Sequence, residues 1–334
     1  MLSTLALLSP LLACTQSPQR GEGTVVSLGL EAQLPAAEAL AAADTDGDGE
    51  DTLYRFAGGT LSWGEGQSAE LGGTWQAWAR GDIDSDGREE LLVATGVGRA
   101  DRSAPVRIWS VDDEGTELLL EQAGGRAQVP DLRVIDGRIW VALFTEGTQV
   151  AGGWLVDGAV EPVHQGNLAV QQLPVGDQVV VGRIYGDTPK SDGDLKVHGA
   201  QVRDLGSFRG VRTLRAADLN GDGAEELLVG DGWHYAYGQQ AVARLGLFEG
   251  PDWSAQRTLT QLPGDYSIRD IQVMDGRILL VGTSSVHLLQ PDALGWHDTV
   301  VGTVSEQGSA VFLRGAEPAI AVSGDPVRVF PLVP

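Results

Sequence analysis

A nine-residue acidic pattern occurs three times in the chain, and each copy runs directly into an apolar segment. The copies span residues 44–52, 82–90 and 218–226. Each has oxygen-bearing side chains at positions one, three and five, and glycine at position six, where a tight turn needs a residue without a β-carbon. Because the glycine and the following apolar segment recur with it, the pattern predicts a chain built from repeated units.

The spacing of these oxygen atoms is that of a calcium-binding loop, in which ligands converge from alternate residues. Position seven contributes a main-chain carbonyl, and position nine contributes a closing side chain. The predicted ligands are Asp82, Asp84, Asp86, Arg88 and Glu90; Asp218, Asn220, Asp222, Ala224 and Glu226; and Asp44, Asp46, Asp48, Glu50 and Thr52. Mg²⁺ fits less well, because it requires strict octahedral geometry.

We expect Ca²⁺ in the second and third loops. In the first loop Thr52 replaces the closing glutamate, so its closing ligand stays open between Thr52 and the adjacent Asp51. The alternative for each loop is an acidic turn that is only solvated.

Short hydrophobic runs recur along the whole chain, about 44 residues apart on average, which is the length of a four-stranded propeller blade. We anchor them at Leu53, Leu91, Trp140, Val179, Leu227, Leu279 and Ile320. Within a unit, one strand leads into the acidic loop and a second leaves it. Two further strands follow, and the third alternates apolar and polar residues. Residues 34–43 are helical by composition, but the repeat predicts a strand there.

The other four units keep the hairpin without the acidic loop. Two of them turn through Asp-Gly, at residues 136–137 and 275–276, which is typical of a tight β-hairpin. The last unit has room for only three strands, and a strand at residues 24–30 would supply the fourth. We therefore predict an all-β, seven-bladed β-propeller over residues 23–334, with its last blade completed by the N-terminal strand.

The charge balance restricts the function. With 23 basic and 46 acidic residues, the net charge is −23, which argues against nucleic acids and anionic membrane surfaces as partners. None of the five histidines lies in a metal-ligand or nucleophile motif. An aromatic cluster at residues 232–237 is the one feature suited to stacking on a sugar or a partner, and blade packing is its alternative. Trp63, Trp109 and Trp154 fall at third-strand positions, which predicts packing between blades; a series of sugar-binding pockets between blades is the alternative.

The N-terminus resembles a bacterial lipoprotein signal. Residues 1–13 are largely apolar and end in Leu-Leu-Ala before Cys14, the single cysteine. The resemblance implies cleavage before Cys14, lipid attachment to its sulfur, and a polar tether over residues 14–22. It places the protein at the bacterial outer membrane, facing the periplasm or the cell surface, with the lipid as its only membrane contact.

The acidic loops and the Leu-Leu-Val that follows two of them also resemble FG-GAP/VCBS repeats, most closely at residues 82–93 and 218–229. These repeats form the seven-bladed propeller of integrin α-subunit heads and of many bacterial surface proteins. The resemblance implies calcium in the loops on one rim of the ring.

We expect a non-catalytic module that binds a protein or glycan at the envelope. The alternatives are a propeller-scaffold lyase or hydrolase acting on polysaccharides, with a titratable cluster at the ring centre or on one rim, and a structural subunit of an envelope complex.

Overall fold

The computed structural model describes most of the chain, and every regular element in the described part is a β-strand. The described residues are 27–29, 32–96, 105–123, 128–144, 148–186, 192–232, 242–250, 252–293, 295–305 and 307–333. The strands form seven antiparallel sheets, arranged as the blades of a propeller. This confirms the predicted all-β, seven-bladed architecture.

Each of the first six blades is a four-stranded sheet whose strands follow one another in chain order, the first innermost. Blades one to three contain β3 (Ala39–Ala43), β4 (Thr52–Ala57), β5 (Thr60–Trp63) and β6 (Gln67–Glu70); β7 (Thr74–Gly81), β8 (Glu90–Gly96), β9 (Val106–Val111) and β10 (Thr116–Gln122); and β11 (Asp131–Ile135), β12 (Arg138–Phe144), β13 (Gln149–Val156) and β14 (Ala159–Asn167). The segment of helical composition is therefore a strand, as the repeat predicts, and all five residues of β3 are buried.

Blades four to six repeat this arrangement. They contain β15 (Gln171–Val175), β16 (Gln178–Gly182), β17 (Gly193–His198) and β18 (Val202–Phe208); β19 (Val211–Ala217), β20 (Glu226–Asp231), β21 (Ala243–Glu249) and β22 (Ala255–Leu262); and β23 (Asp270–Met274), β24 (Arg277–Val281), β25 (Ser285–Asp292) and β26 (Gly295–Thr303). Asp136, Gly137, Asp275 and Gly276 all have φ between 50° and 70°. Positive φ at both central residues is the geometry that the two Asp-Gly hairpins predict.

Blade seven is made from both ends of the described chain. Its own strands are β27 (Ala310–Leu313), β28 (Ala319–Val322) and β29 (Val327–Val333), while β1 (Ser27–Leu28) and β2 (Ala32–Leu34) pair with β29 on its outer side. Leu28 lies opposite Leu332 and Ala32 lies opposite Val329. The N-terminal segment thus completes the last blade, as predicted, and covers the edge of β29. It does so with two short strands, β1 and β2, and not with the single strand expected at residues 24–30.

The core is divided among the interfaces between blades. Every pair of neighbouring blades shares at least one buried apolar cluster, including the pair that closes the ring. The closing cluster contains Leu40 of blade one together with Val311 and Ala321 of blade seven. Since a sheet buries its apolar faces only against another layer, each blade depends on both neighbours.

The tryptophans of the third strands belong to these interfaces. Trp63 and Trp109 pack in the cluster between blades one and two. Trp154 meets Trp140 edge to face, with ring centroids 5.1 Å apart, in the cluster between blades three and four. The prediction of structural packing for these three residues is confirmed.

Candidate metal sites and the central channel

The three acidic loops occupy equivalent places in blades one, two and five. Each connects the first strand of its blade to the second: β3 to β4, β7 to β8, and β19 to β20. Because the strands of each blade alternate in direction, all first-to-second turns lie on one face of the ring. The Glu89 N–H donates to the Asp44 carbonyl at 3.0 Å, which joins the loops of blades one and two directly.

All three loops fold by the same set of side-chain to backbone hydrogen bonds. The position-six N–H donates to the position-one carboxylate: Gly49 to Asp44 at 3.0 Å, Gly87 to Asp82 at 3.0 Å, and Gly223 to Asp218 at 2.9 Å. Position five donates to position three, and position seven to position five, at 2.8–3.3 Å. The position-six glycines have φ of 85–91°, which a residue with a side chain rarely adopts.

This folding brings carboxylate oxygens together. Asp82, Asp84, Asp86 and Glu90 each offer one oxygen within 4.8 Å of the others, and so do Asp44, Asp46 and Asp48 in the first loop. Hydrogen bonds from the Arg88 N–H and guanidinium lower the pKa of Asp86, and the Gly223 N–H has the largest part in lowering that of Asp218. Ionised oxygens this close repel one another, and this hard-oxygen set suits Ca²⁺.

The glutamates at position nine are buried, unlike most of the loop. Glu90 and Glu226 are 6% and 2% exposed, and each accepts a hydrogen bond from the position-two N–H, from Ile83 at 2.7 Å and Leu219 at 2.8 Å. Burial raises the pKa of both carboxyl groups, and the nearby loop aspartates raise it further. A bound cation would offset the cost of keeping these carboxylates charged.

The third loop carries less negative charge than the second. Asn220 replaces the position-three aspartate, and its Oδ1 accepts from the Asp222 N–H at 2.9 Å, as Asp84 does from Asp86 in the second loop. Its Nδ2 donates to Glu226 Oε1 at 2.9 Å. Both oxygens of Glu226 are therefore engaged, Oε2 by the Leu219 N–H and Oε1 by Asn220, whereas Glu90 accepts only from the Ile83 N–H among the described residues. A calcium ion in this loop would be held more weakly than in the second.

The first loop lacks a closing carboxylate. The Asp51 side chain is inaccessible to solvent and pairs with Arg80 at 2.8 Å and with Arg314 at 2.7 Å, so it does not join the loop oxygens. However, Asp44 Oδ1 is buried without a hydrogen-bond partner in the described part of the chain. A buried carboxylate oxygen without a partner is costly, and a cation at this position would satisfy it. The residues of this loop therefore also fit a metal ion.

A central channel, which the sequence analysis did not locate, runs through the ring. Its cavity measures about 940 Å³ and is lined by residues from all seven blades, mostly from the innermost strands. Its walls carry Arg80, Asp131, Arg133, Arg215 and Asp270. Charged residues within otherwise apolar innermost strands are the signal that sequence reasoning missed.

A second polar network joins residues of blade six. Ser285 Oγ lies 2.8 Å from His287 Nε2, and His287 Nδ1 lies 2.8 Å from Asp298 Oδ1. Ser285 Oγ also donates to Asp265, whose pKa is lowered because hydrogen bonds from Ser285, Ser284 and Thr283 outweigh burial. The single hydroxyl proton is thus given to Asp265 and not to His287 Nε2. Activation of a serine by a histidine base requires the hydroxyl to donate to the imidazole, so we interpret the network as structural.

Several sequence-predicted features lie outside the described residues. They are the signal at residues 1–13, Cys14, the tether at 14–22 and the aromatic cluster beyond Gly232. Within the described residues, no helix has the length and apolar character needed to cross a membrane.

Together, the closed ring and the inter-blade core define a seven-bladed β-propeller. The chain is similar to the crystal structure of the Myceliophteria thermophila Cps50 (Swd1) β-propeller domain, with a TM-score of 0.55, 14% sequence identity, and coverage of 90% of this chain and 99% of that chain. At this identity the similarity shows the fold alone. No protein-family model matches the sequence, and no curated protein matches it.

Proposed function

We propose that this protein is a calcium-stabilised propeller that acts as a non-catalytic binding module for a protein or glycan. In this proposal it belongs with the FG-GAP/VCBS propellers and is anchored at the bacterial outer membrane by lipid on Cys14. The observation that carries the proposal is the second loop, where Asp82, Asp84, Asp86 and Glu90 offer four oxygens within 4.8 Å of one another.

The loops connect metal binding to the shape of the ring face. Arg88 of the second loop reaches Asp113 in the third-to-fourth turn of its own blade at 2.8 Å. In blade five, the Trp253 indole N–H donates to the Glu225 carbonyl at 2.9 Å. A cation that orders a loop would therefore also order the turn beside it. The result would be a fixed, acidic face suited to a partner that is neutral or basic.

Calcium titration of metal-stripped protein tests the metal sites. We expect heat on titration with CaCl₂, a weaker response to MgCl₂, and a higher melting temperature with calcium, since a ligand at 100 times its Kd adds about 2.7 kcal/mol of stability. Asp84→Asn should remove the second site, whereas Glu117→Gln, which changes an exposed acid of β10 outside the loop, should retain it. Equal melting temperatures with calcium and with chelator would reject the metal sites.

Partner binding and anchoring need separate experiments. Mass spectrometry of the protein from a bacterial envelope should show an acylated Cys14, which Cys14→Ala abolishes. Glycan arrays test sugar binding, and affinity capture from detergent-solubilised membranes tests a protein partner or a stable complex. Binding that depends on calcium and disappears in Asp84→Asn would connect the partner to the loop face.

An enzyme that uses the ring as a scaffold is the second candidate. The channel contains the titratable cluster that this alternative predicts, including Asp131 and Asp270. Burial raises the pKa of both carboxyl groups, which is the direction that favours a carboxylic acid as a proton donor. Depolymerisation of an envelope polysaccharide that Asp270→Asn abolishes, without loss of folding, would favour the enzyme over the binding module.

A further inference from the structure

Arg215 is an arginine of the central channel without a direct partner among the described residues. It lies on β19, and its side chain is exposed to the channel. The other three arginines that line the channel are engaged: Arg80 binds Asp51 at 2.8 Å, Arg133 binds Asp131 at 2.9 Å, and Arg269 Nε donates to the Gly282 carbonyl at 2.8 Å. Arg215 makes no hydrogen bond or ion pair with any residue that the structure describes, which leaves the N–H groups of its guanidinium available for a ligand.

Asp131 and Asp270 are the two aspartates whose charges attract Arg215, and both already accept hydrogen bonds from other donors. Asp131 Oδ2 accepts from Arg133 and from the Gln172 N–H at 3.2 Å. Asp270 accepts from the Ile271 N–H and from Gln272 Nε2, both at 2.8 Å. Gln272 is fixed in turn by the Ala310 carbonyl and the Phe312 N–H. These carboxyl groups act on Arg215 only through longer-range attraction.

The charge balance of the wall favours an anion. Arg80, Arg133 and Arg215 face Asp131 and Asp270, so positive groups are in excess inside a protein whose net charge is −23. Burial lowers the pKa of Arg215, and repulsion from Arg133 lowers it further. A guanidinium in this position is poorly compensated, and an incoming oxyanion would relieve both effects. Glu38 and Arg269 are the other charged residues that line the cavity.

We propose that the central channel binds a small oxyanion, bearing a carboxylate, sulfate or phosphate group, through the guanidinium of Arg215, with Arg133 as the neighbouring cation. The cavity of about 940 Å³ accommodates such a ligand together with water. The planar guanidinium fits a carboxylate or sulfate through two parallel hydrogen bonds. This site is separate from the acidic loops and does not depend on calcium.

The test is calorimetric titration of the full chain with sodium succinate and with sodium sulfate, at saturating calcium and constant ionic strength set by sodium chloride. Succinate tests a carboxylate, and sulfate tests an inorganic tetrahedral anion. We expect saturable binding of at least one probe, an affinity at least tenfold lower in Arg215→Gln, and an intermediate affinity in Arg215→Lys. The control is Arg257→Gln, which removes a half-buried arginine of β22 that pairs with Glu249 outside the channel, and should bind as the wild type does.

A second readout separates binding from folding. In chloride buffer, Arg215→Gln should melt at or above the wild-type temperature, because it removes a poorly compensated cation, and it should lose the melting-temperature increase that the binding probe gives the wild type. Equal affinity in wild type and Arg215→Gln would overturn the proposal. Absence of saturable binding of either probe to the wild type would do so as well.

Discussion

Asp51 and Arg314 join blade one to blade seven, although 263 residues separate them in sequence. Arg314 Nε and Nη2 donate to Asp51 Oδ1 at 2.9 and 2.7 Å, and the Arg314 N–H donates to Oδ2 at 2.8 Å. Arg80 of blade two binds the same carboxylate at 2.8 Å. The Asp51 side chain is fully inaccessible to solvent, so one carboxylate connects three blades at the point where the ring closes.

Asp51→Asn should destabilise the ring strongly. The substitution removes the charge that compensates two guanidinium groups, and breaking a buried pair typically costs about 3–5 kcal/mol. Because Arg80 and Arg314 keep partial contact with water, we expect a loss of about 2–4 kcal/mol of unfolding free energy. Urea denaturation measures it. The matched control is Asp113→Asn, which breaks the exposed pair with Arg88 and should leave the urea midpoint nearly unchanged.

The effect of Asp51 should also depend on pH. Burial alone would raise the pKa of its carboxyl group, but hydrogen bonds from Arg314 and the charge of Arg80 outweigh burial and lower it. The stabilisation is therefore complete above the unfolded-state pKa of about 3.9 and disappears as pH falls through the lower folded-state value. The stability gap between wild type and Asp51→Asn should narrow only in strong acid. A gap that narrows near neutral pH would contradict this assignment.

Glu90→Gln should affect calcium-free and calcium-bound protein in opposite directions. Without metal, it replaces a buried carboxylate that burial and Asp84 disfavour in its charged form, so the melting temperature should rise or stay constant. With calcium it removes a ligand, so the affinity of this loop should fall about tenfold or more. Glu117→Gln, on the exposed part of β10, is the control and should change neither quantity. Unchanged calcium affinity in Glu90→Gln would exclude this residue as a ligand.

The repeat pattern was sufficient to predict the architecture because it is local. The acidic loop and the following Leu-Leu-Val specify a hairpin wherever they occur, and Asp-Gly specifies the same hairpin without a metal loop at residues 136–137. The repeat spacing also predicted a strand for the alanine-rich segment that forms β3. The segment is a strand because burial of all five of its residues against neighbouring blades outweighs helix propensity. Because the last unit has room for only three strands, the sequence also predicted that the N-terminal strand completes blade seven.

Contacts between distant blades could not be predicted in the same way. Asp51 looked like a substitute ligand because it stands next to Thr52, and nothing in the local sequence indicates Arg314 as its partner. The channel cluster depends on which face of each innermost strand points inward, and a shift of one residue in register would reverse that face. The predicted loop residues were found from local spacing, whereas Arg215 required the assembled ring.

Removal of the N-terminal strand segments should weaken the ring and expose an edge. Residues 27–28 and 32–34 supply five paired positions to β29, and Leu28 packs against the apolar cluster of blades six and seven. Deletion of residues 1–34 should cost about 2–5 kcal/mol, at about 1 kcal/mol per lost hydrogen bond, and promote association through the free edge of β29. Deletion of residues 1–22 is the control. Denaturation and light scattering that do not distinguish the two deletions would contradict the closure.

The imidazoles of His164 and His198 form an acid-sensitive contact between blades three and four. Their ring centroids are 4.4 Å apart. Burial lowers the pKa of both imidazoles; His198 lowers that of His164 further, and the charge of Lys196 lowers that of His198 further. Since the folded state disfavours protonation, their contribution to stability is complete above the unfolded-state pKa of about 6.5 and decreases as pH falls through the folded-state values. His164→Gln should therefore reduce the loss of unfolding free energy between pH 7 and pH 5, by about 1 kcal/mol or less for these half-buried groups. His297→Gln, an exposed histidine of blade six, is the control, and identical pH profiles for wild type and His164→Gln would refute the coupling.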